Sequence, residues 1–300
     1  MRFVPALGVA ALTAGSLMIA PAAHAAPPAP PAVQQVQTPT DLLQGTVNFR
    51  DVGGYRTFNG FHVKKGVAYR ADALNHATDA DLAELTRLGI ERIVDYRTPL
   101  EVSVDGADRL PAGLAVTERP ISDTGMYAEL TGAIAGKDPV RQEAVLGNGR
   151  GERIMEGLYR SFVTDPESRA SFGRTLEELA DRDRTPLVFH CTSGKDRTGW
   201  TSYLLLSALG VSHRTAAYDF LLSNDYRRTA DAAARDGLKA AGYMQNPELL
   251  TPMQEVRSNY LAAALTEVKR SYGSVDRYLR YGLGLHPRTQ AQLRRNLLTR

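Results

Sequence analysis

Cys191 and Arg197 frame a Cys-x5-Arg segment inside VFHCTSGKDRTG, the stretch from Val188 to Gly199, and Cys191 is the only cysteine among 300 residues. A thiol that cannot pair within its own chain is either an inert buried group or a nucleophile, and its neighbours decide which. The apolar run LVFH reads as a buried strand ending at the thiol, and a helical pattern begins at Thr198. Strand, short turn and helix together make an oxyanion cradle. Backbone N–H groups through Thr192, Ser193, Gly194 and Lys195 can turn inward as a nest, and the helix adds its positive N-terminal end. The same field favours thiolate over thiol at Cys191, and a thiolate can attack phosphorus directly. Arg197 offers a planar fork of donors for two equatorial phosphoryl oxygens. Gly194 and Gly199 allow tight turning and close approach to the ligand. Thr198 is expected to donate its hydroxyl to the sulfur. An inert core thiol would leave Gly194, Arg197, Thr198 and Gly199 unexplained at these spacings.

The elements that must position this loop are legible as alternating strands and helices, the pattern of an α/β fold with a central, mostly parallel sheet flanked by helices. Residues 41–69 carry Gly-Gly and Asn-Gly turn signals between short β-branched or aromatic runs, which predicts strands and hairpins. Thr78-Asp79-Ala80-Asp81 opens a helix with a stripe of Leu82, Leu85 and Leu88 that Gly89 ends. A buried strand centred on Ile93 and Val94 follows, then another between Leu114 and Ile121. The pattern is helical from Met126 to Phe162, with Gly and Asn interruptions, and again from Glu167 to Ala180. After the loop a helix runs from Thr198 to Leu209, Ser212 caps the next, and the remainder reads as helical almost to Arg300. The tracts Met126 to Phe162 and Asp225 to Tyr260 are candidates for a lid over the loop.

The N-terminus has one charge at Arg2, an apolar run from Val4 to Ala20, and Ala23-His24-Ala25 ahead of Ala26. This reads as a secretory signal peptide over residues 1–25, since the run is short for a membrane span and carries Pro5, Gly8 and Gly15. Residues 26–40, APPAPPAVQQVQTPT, read as an extended tether, and residues 41–300 as one domain. The net charge of the full chain is +3, too small to argue for nucleic acid or stable membrane association. The histidines show no H-E-x-x-H or paired spacing, and one Cys cannot build a zinc cluster, so no metal or other cofactor is expected. Ser193-Gly194-Lys195-Asp196 lacks the outer residues of a nucleotide-binding Walker loop.

HCTSGKDRTG resembles the Cys-x5-Arg-Ser/Thr signature of the protein tyrosine phosphatase superfamily, and most resembles its bacterial tyrosine/serine phosphatases with a Gly-Lys-Asp-Arg-Thr-Gly loop. Three further stretches fit that subgroup: VNFRDVGGY from Val47 to Tyr55, YDFLLSNDY from Tyr218 to Tyr226, and YGSVDRYLRYGLGL from Tyr272 to Leu285. The resemblance implies a phosphatase secreted from a bacterium. Its substrates would be phosphorylated proteins, through phosphotyrosine and also phosphoserine or phosphothreonine, and phosphoinositides. It implies a phosphocysteine intermediate on Cys191, with His190 as an orienting group. It also implies an acid to protonate the leaving oxygen.

That acid has three candidates. Asp95 ends the IVD strand, where an open α/β sheet places its ligand crevice, and IVDYRT is similar to an Asp-Leu-Arg stretch of the subgroup. Asp196 lies in the loop itself, with a plain reading as a salt-bridge partner of Arg197 or Arg50. Asp123 follows a later strand. Lys195 would add a second cation at the pocket mouth, suited to substrates with more than one phosphate. Arg50 and Asp51, beside Gly53 and Gly54, are candidates to brace the loop. Competing readings are sulfur transfer of the rhodanese type, a phytase-like cysteine phosphatase acting on inositol phosphates, and a module that binds phosphate without turnover. The position of Arg197 and the Thr198-Gly199 pair favour phosphate over sulfur chemistry.

Overall fold

The computed structural model describes residues 42–300, so the predicted signal peptide and tether lie outside the described residues. The strands are β1 (Arg50–Asp51), β2 (His62–Val63), β3 (Ala68–Ala71), β4 (Arg92–Asp95), β5 (Val116–Glu118), β6 (Leu187–His190) and β7 (Leu298–Thr299). Five of them form a sheet in the order β1-β3-β6-β4-β5, parallel from β3 to β5 and antiparallel only at the β1 edge. The expected all-buried central strand LVFH is β6, flanked by β3 and β4, with Ala71 and Asp95 both in register with His190. Three strand ends therefore converge on the residue before Cys191.

Period-two alternation sorts the strand side chains into two cores. Leu187 and Phe189 of β6 and Val94 of β4 join the larger cluster with Phe162, Phe172 and Trp200. Val188 and Ile93 face the other side, with Phe49, Tyr69 and Leu85.

The helices up to the loop are α1 (Asp79–Arg87), α2 (Pro99–Asp105), α3 (Met126–Ala135), α4 (Pro139–Leu146), α5 (Arg150–Thr164) and α6 (Pro166–Leu179). After it come α7 (Arg197–Ala208), α8 (His213–Leu221), α9 (Ser223–Ala240), α10 (Thr251–Gln254), α11 (Ser258–Tyr272), α12 (Val275–Arg277) and α13 (Pro287–Leu297). Thr78 starts α1 with a full capping box, its hydroxyl accepting from the Asp81 N–H while the Asp81 carboxylate accepts from the Thr78 N–H. The helical tract after Met126 breaks at Gly136 and Gly147, as its glycines suggest, giving α3, α4 and α5.

α5 is a core helix: Met155, Leu158, Tyr159, Phe162 and Val163 are buried, and it packs on α11. α9 instead shows most of its surface to solvent. The tail departs from the helical reading, because β7 pairs antiparallel with β2, with His62 opposite Thr299. A two-residue edge strand such as β2 has unpaired backbone groups, and the tail satisfies them. No helix among the described residues is long and apolar enough to cross a membrane.

Candidate active site

The loop from Cys191 to Asp196 joins the C-terminal end of β6 to the first turn of α7, and all its charged members are buried. Gly194 sits at φ +65°, and a Cβ there would lie 2.4 Å from the Ala71 carbonyl oxygen at the end of β3. Only glycine fits so close a passage of loop over strand. Gly199 has a different reason from the one expected. A Cβ there would meet the Phe220 ring at 2.9 Å, so this glycine lets α7 approach α8 rather than a ligand.

Arg197 is aimed by a carboxylate that its own stretch of sequence does not contain. Its Nη1 donates to Glu101 Oε2 at 2.8 Å and to the Tyr96 carbonyl at 3.0 Å, and its Nη2 also donates to Glu101. Glu101 Oε1 accepts from the Thr192 hydroxyl at 2.6 Å as well, so one carboxylate ties the first and last turns of the loop. Glu101 is fixed in turn by Thr98 at the start of α2, whose N–H donates to Oε2 at 2.7 Å. Burial works against this carboxylate, but the bonds and charge of Arg197, with Thr192 and the Thr98 amide, outweigh it and hold its pKa down to about 2.

A second network supports the loop from the β1 side. Arg70, fully buried in β3, donates to the Gly194 carbonyl at 2.7 Å and to Asp219 Oδ2 of α8 at 2.8 Å. Burial and the neighbouring Arg50 charge bring the Arg70 pKa down to about 10. Arg50 reaches Asp219 Oδ1 at 3.4 Å and its carbonyl at 3.0 Å, and also bonds the Asn48 side-chain oxygen. Asn48 Nδ2 then donates to the Ser193 carbonyl at 3.1 Å. Arg50 thus acts on the loop through Asn48. Its neighbour Asp51 holds a turn instead, accepting from the Gly53 and Gly66 amides. From α9, Arg227 also donates to the Ser193 carbonyl, at 3.2 Å.

The three candidate acids occupy different settings. Asp95 lies at the crevice end of β4, but its carboxylate folds back on Arg97, accepting from the backbone N–H at 2.8 Å and from Nε. Asp123 accepts from the Gly125 and Tyr127 amides and shapes the entry to α3. Asp196 precedes α7 yet does not cap it. Its two oxygens go to Lys195 Nζ at 2.6 Å and to the Tyr159 hydroxyl of α5 at 2.9 Å. Lys195 is therefore turned inward, only 3% exposed, rather than lying on the rim.

His190 has its Nε2 2.9 Å from Asp108 Oδ2 and its Nδ1 3.8 Å from Asp95. Burial opposes a charged imidazole, but Asp108 first and Asp95 second outweigh it and raise the His190 pKa above the usual 6.5. Asp95, Asp108 and His190 are close enough to suggest a metal site by residue type. Arg97 answers that: its Nη2 lies 2.9 Å from both carboxylates, so a guanidinium already balances them. Thr198 Oγ1 is buried with no hydrogen-bond partner among the described residues, so the expected donation to the Cys191 sulfur is not made.

Sequence reasoning did not find Glu101, Arg70, Asp219, Asn48, Asp108 or Tyr159. Glu101 had the clearest signal, since T-P-L-E begins three residues after Asp95, the end of the IVD strand. Asp219 and Asn48 lie inside the YDFLLSNDY and VNFRDVGGY stretches.

The assembled site is a buried thiol at a strand end, a short loop leading into α7, and a guanidinium clamped beside it by Glu101, groups suited to a phosphoryl oxyanion. Residues 42–299 match the tyrosine phosphatase family. A protein of Cupriavidus necator named as a tyrosine-protein phosphatase is 35% identical over 264 residues, covering 87% of this chain and 90% of that protein. The triple specificity protein phosphatase PtpB of Mycobacterium tuberculosis is 30% identical over 261 residues, covering 79% of this chain and 92% of that protein. A tyrosine-protein phosphatase of Nostoc commune is 25% identical over 215 residues, covering 70% of this chain and 67% of that protein. With these matches added to the site geometry, the chain belongs to the tyrosine phosphatase family.

Proposed function

We propose that this phosphatase is exported from the cell and hydrolyses phosphotyrosine in proteins, with tolerance for phosphoserine, phosphothreonine and phosphoinositides, through a phosphocysteine intermediate. The observation that carries the reading is the clamp on Arg197. A buried guanidinium held by Glu101, Tyr96 and Ile121 at the end of the Cys191 loop is pre-set to receive equatorial phosphoryl oxygens.

In the first step the Cys191 Sγ–P bond forms as the ester O–P bond breaks, and the leaving oxygen takes the proton of a protonated carboxyl group, leaving it as carboxylate. In the second, water forms an O–P bond as the S–P bond breaks, and the water's proton passes to the same acid-base group. We assign that group to Asp196. It lies inside the loop, and its carboxylate is kept off the α7 N-terminus, whereas Asp95 is committed to Arg97.

Breadth of substrate is supported by the name of the mycobacterial relative. A panel of phosphotyrosine, phosphoserine and phosphothreonine peptides, phosphoinositide vesicles and inositol phosphates tests it. Lys195→Ala is expected to lower turnover of phosphoinositides about tenfold more than that of phosphotyrosine, the loss of one charge-assisted contact. Equal losses on both would count against Lys195 as a selector. Preference for soluble inositol phosphates over every peptide would make the phytase-like reading the better one.

Export rests on Arg2, the apolar run from Val4 to Ala20 and the Ala23-His24-Ala25 site. Mass spectrometry of the protein recovered from the culture medium should give an N-terminus at Ala26. Recovery of the chain in the cytosol with residues 1–25 attached would refute export.

A further inference from the structure

Tyr159 is fully buried on α5, among Phe162, Phe220 and Tyr260, with ring centroids 5.2, 5.8 and 6.0 Å away. An apolar cluster of this kind gives a phenol nothing to bond, yet the hydroxyl is satisfied, donating to Asp196 Oδ1 at 2.9 Å across 37 residues of sequence. We propose that Tyr159 is a positioning residue for the phosphatase reaction, holding the Asp196 carboxylate in place for proton transfer.

The surroundings of the bond support this. Asp196 precedes α7 in an αR backbone conformation and makes no capping bond, so its carboxylate is met by side chains and not by the first-turn N–H groups. Its oxygens are divided between Tyr159 and Lys195, both buried. Lys195 belongs to the same loop and moves with it, whereas Tyr159 comes from α5 and ties the carboxylate to the core.

Tyr159 also remains a donor: burial first, then the Asp196 charge and bond, raise its pKa well above the usual range. Tyr159 therefore keeps its own proton, so it orients Asp196 and does not replace it as the proton-transfer group.

The inference rests on the assignment of Asp196 as the acid-base group, and the test separates the two. Wild type, Tyr159→Phe, Asp196→Asn and the double variant are compared for kcat and KM on aryl phosphates whose leaving groups differ in basicity, with the pre-steady-state burst recorded. Tyr159→Phe keeps the ring, so the core packing is retained and a thermal melt checks it. Tyr260→Phe is the control, since its hydroxyl goes to the Pro252 carbonyl.

Asp196→Asn should lower kcat by about 100-fold with a characteristic dependence on leaving group and burst. Tyr159→Phe should reproduce that dependence at about tenfold loss in kcat, with KM changed less. The double variant should be no slower than Asp196→Asn alone, because the tyrosine acts through the aspartate. Losses that multiply in the double variant would overturn the proposal, as would an unchanged Tyr159→Phe enzyme or an equal loss in Tyr260→Phe. An Asp196→Asn enzyme with wild-type kinetics would instead overturn the assignment of Asp196 itself.

Discussion

Cys191→Ser is expected to lower turnover of a phosphotyrosine peptide by on the order of 10⁶-fold, the scale on which removal of an enzyme nucleophile is felt. The change swaps sulfur for oxygen in a buried position, so the loop and its bonds should persist. What is lost is the sulfur, a far stronger nucleophile toward phosphorus than a serine hydroxyl. A serine hydroxyl would need a base, and the neighbouring His190 lies against Asp108, its Nε2 2.9 Å from Oδ2.

The variant should therefore bind phosphate and orthovanadate with near wild-type affinity while showing no burst. Acid quench of the wild-type enzyme during turnover should trap a phosphorylated cysteine that the variant lacks. Retention of more than about one hundredth of the activity by Cys191→Ser would exclude the phosphocysteine route, since that loss is far below what a missing nucleophile causes.

The reach of the sequence followed the distance over which its parts interact. The nucleophile, the arginine and the turn glycine are contiguous in VFHCTSGKDRTG, so their spacing carries the chemistry directly. LVFH was legible as the central strand because four buried residues in a row leave a short segment no other place in an α/β sheet. The braces were hidden for definite reasons. Glu101 lies 96 residues from Arg197 and doubles as the acid of a capping box, a local use that accounts for it before any distant one is sought.

Tyr159 lies on the buried face of α5, where a phenol reads as another apolar residue and its oxygen leaves no trace in the pattern. Asp95 shows the opposite limit. Its position at the crevice end of β4 followed from strand order, but the direction of its carboxylate depended on Arg97 two residues on. For the strands that end at the loop, backbone placement was legible in the sequence, and side-chain commitment was not.

Arg197→Lys should lower kcat/KM by about 10³-fold or more, with a smaller loss of stability from the buried acceptors left unpaired, because lysine keeps the charge and discards the fork. Both guanidinium arms are in use: Nη1 on Glu101, Tyr96 and Ile121, and Nη2 on Glu101. A lysine ammonium can meet Glu101 but cannot also present a planar pair of donors to two phosphoryl oxygens. The loss should fall mainly on kcat, since the equatorial oxygens gain their charge in the transition state.

Glu101→Gln then reports on the clamp itself. Glu101 has its pKa lowered from 4.5 to about 2 in the folded protein, so its contribution to stability is fully present above pH 4.5 and is lost as the pH falls toward 2. Wild type should lose melting temperature across that window, and Glu101→Gln should lose less there, having no carboxylate to protonate. At neutral pH the variant should already be less stable and slower, because a buried guanidinium has lost its counter-charge. A Glu101→Gln enzyme with the same acid-range stability curve as wild type would show that Arg197 is not held by this carboxylate. The cause of the Arg197→Lys loss would then lie in the loop alone.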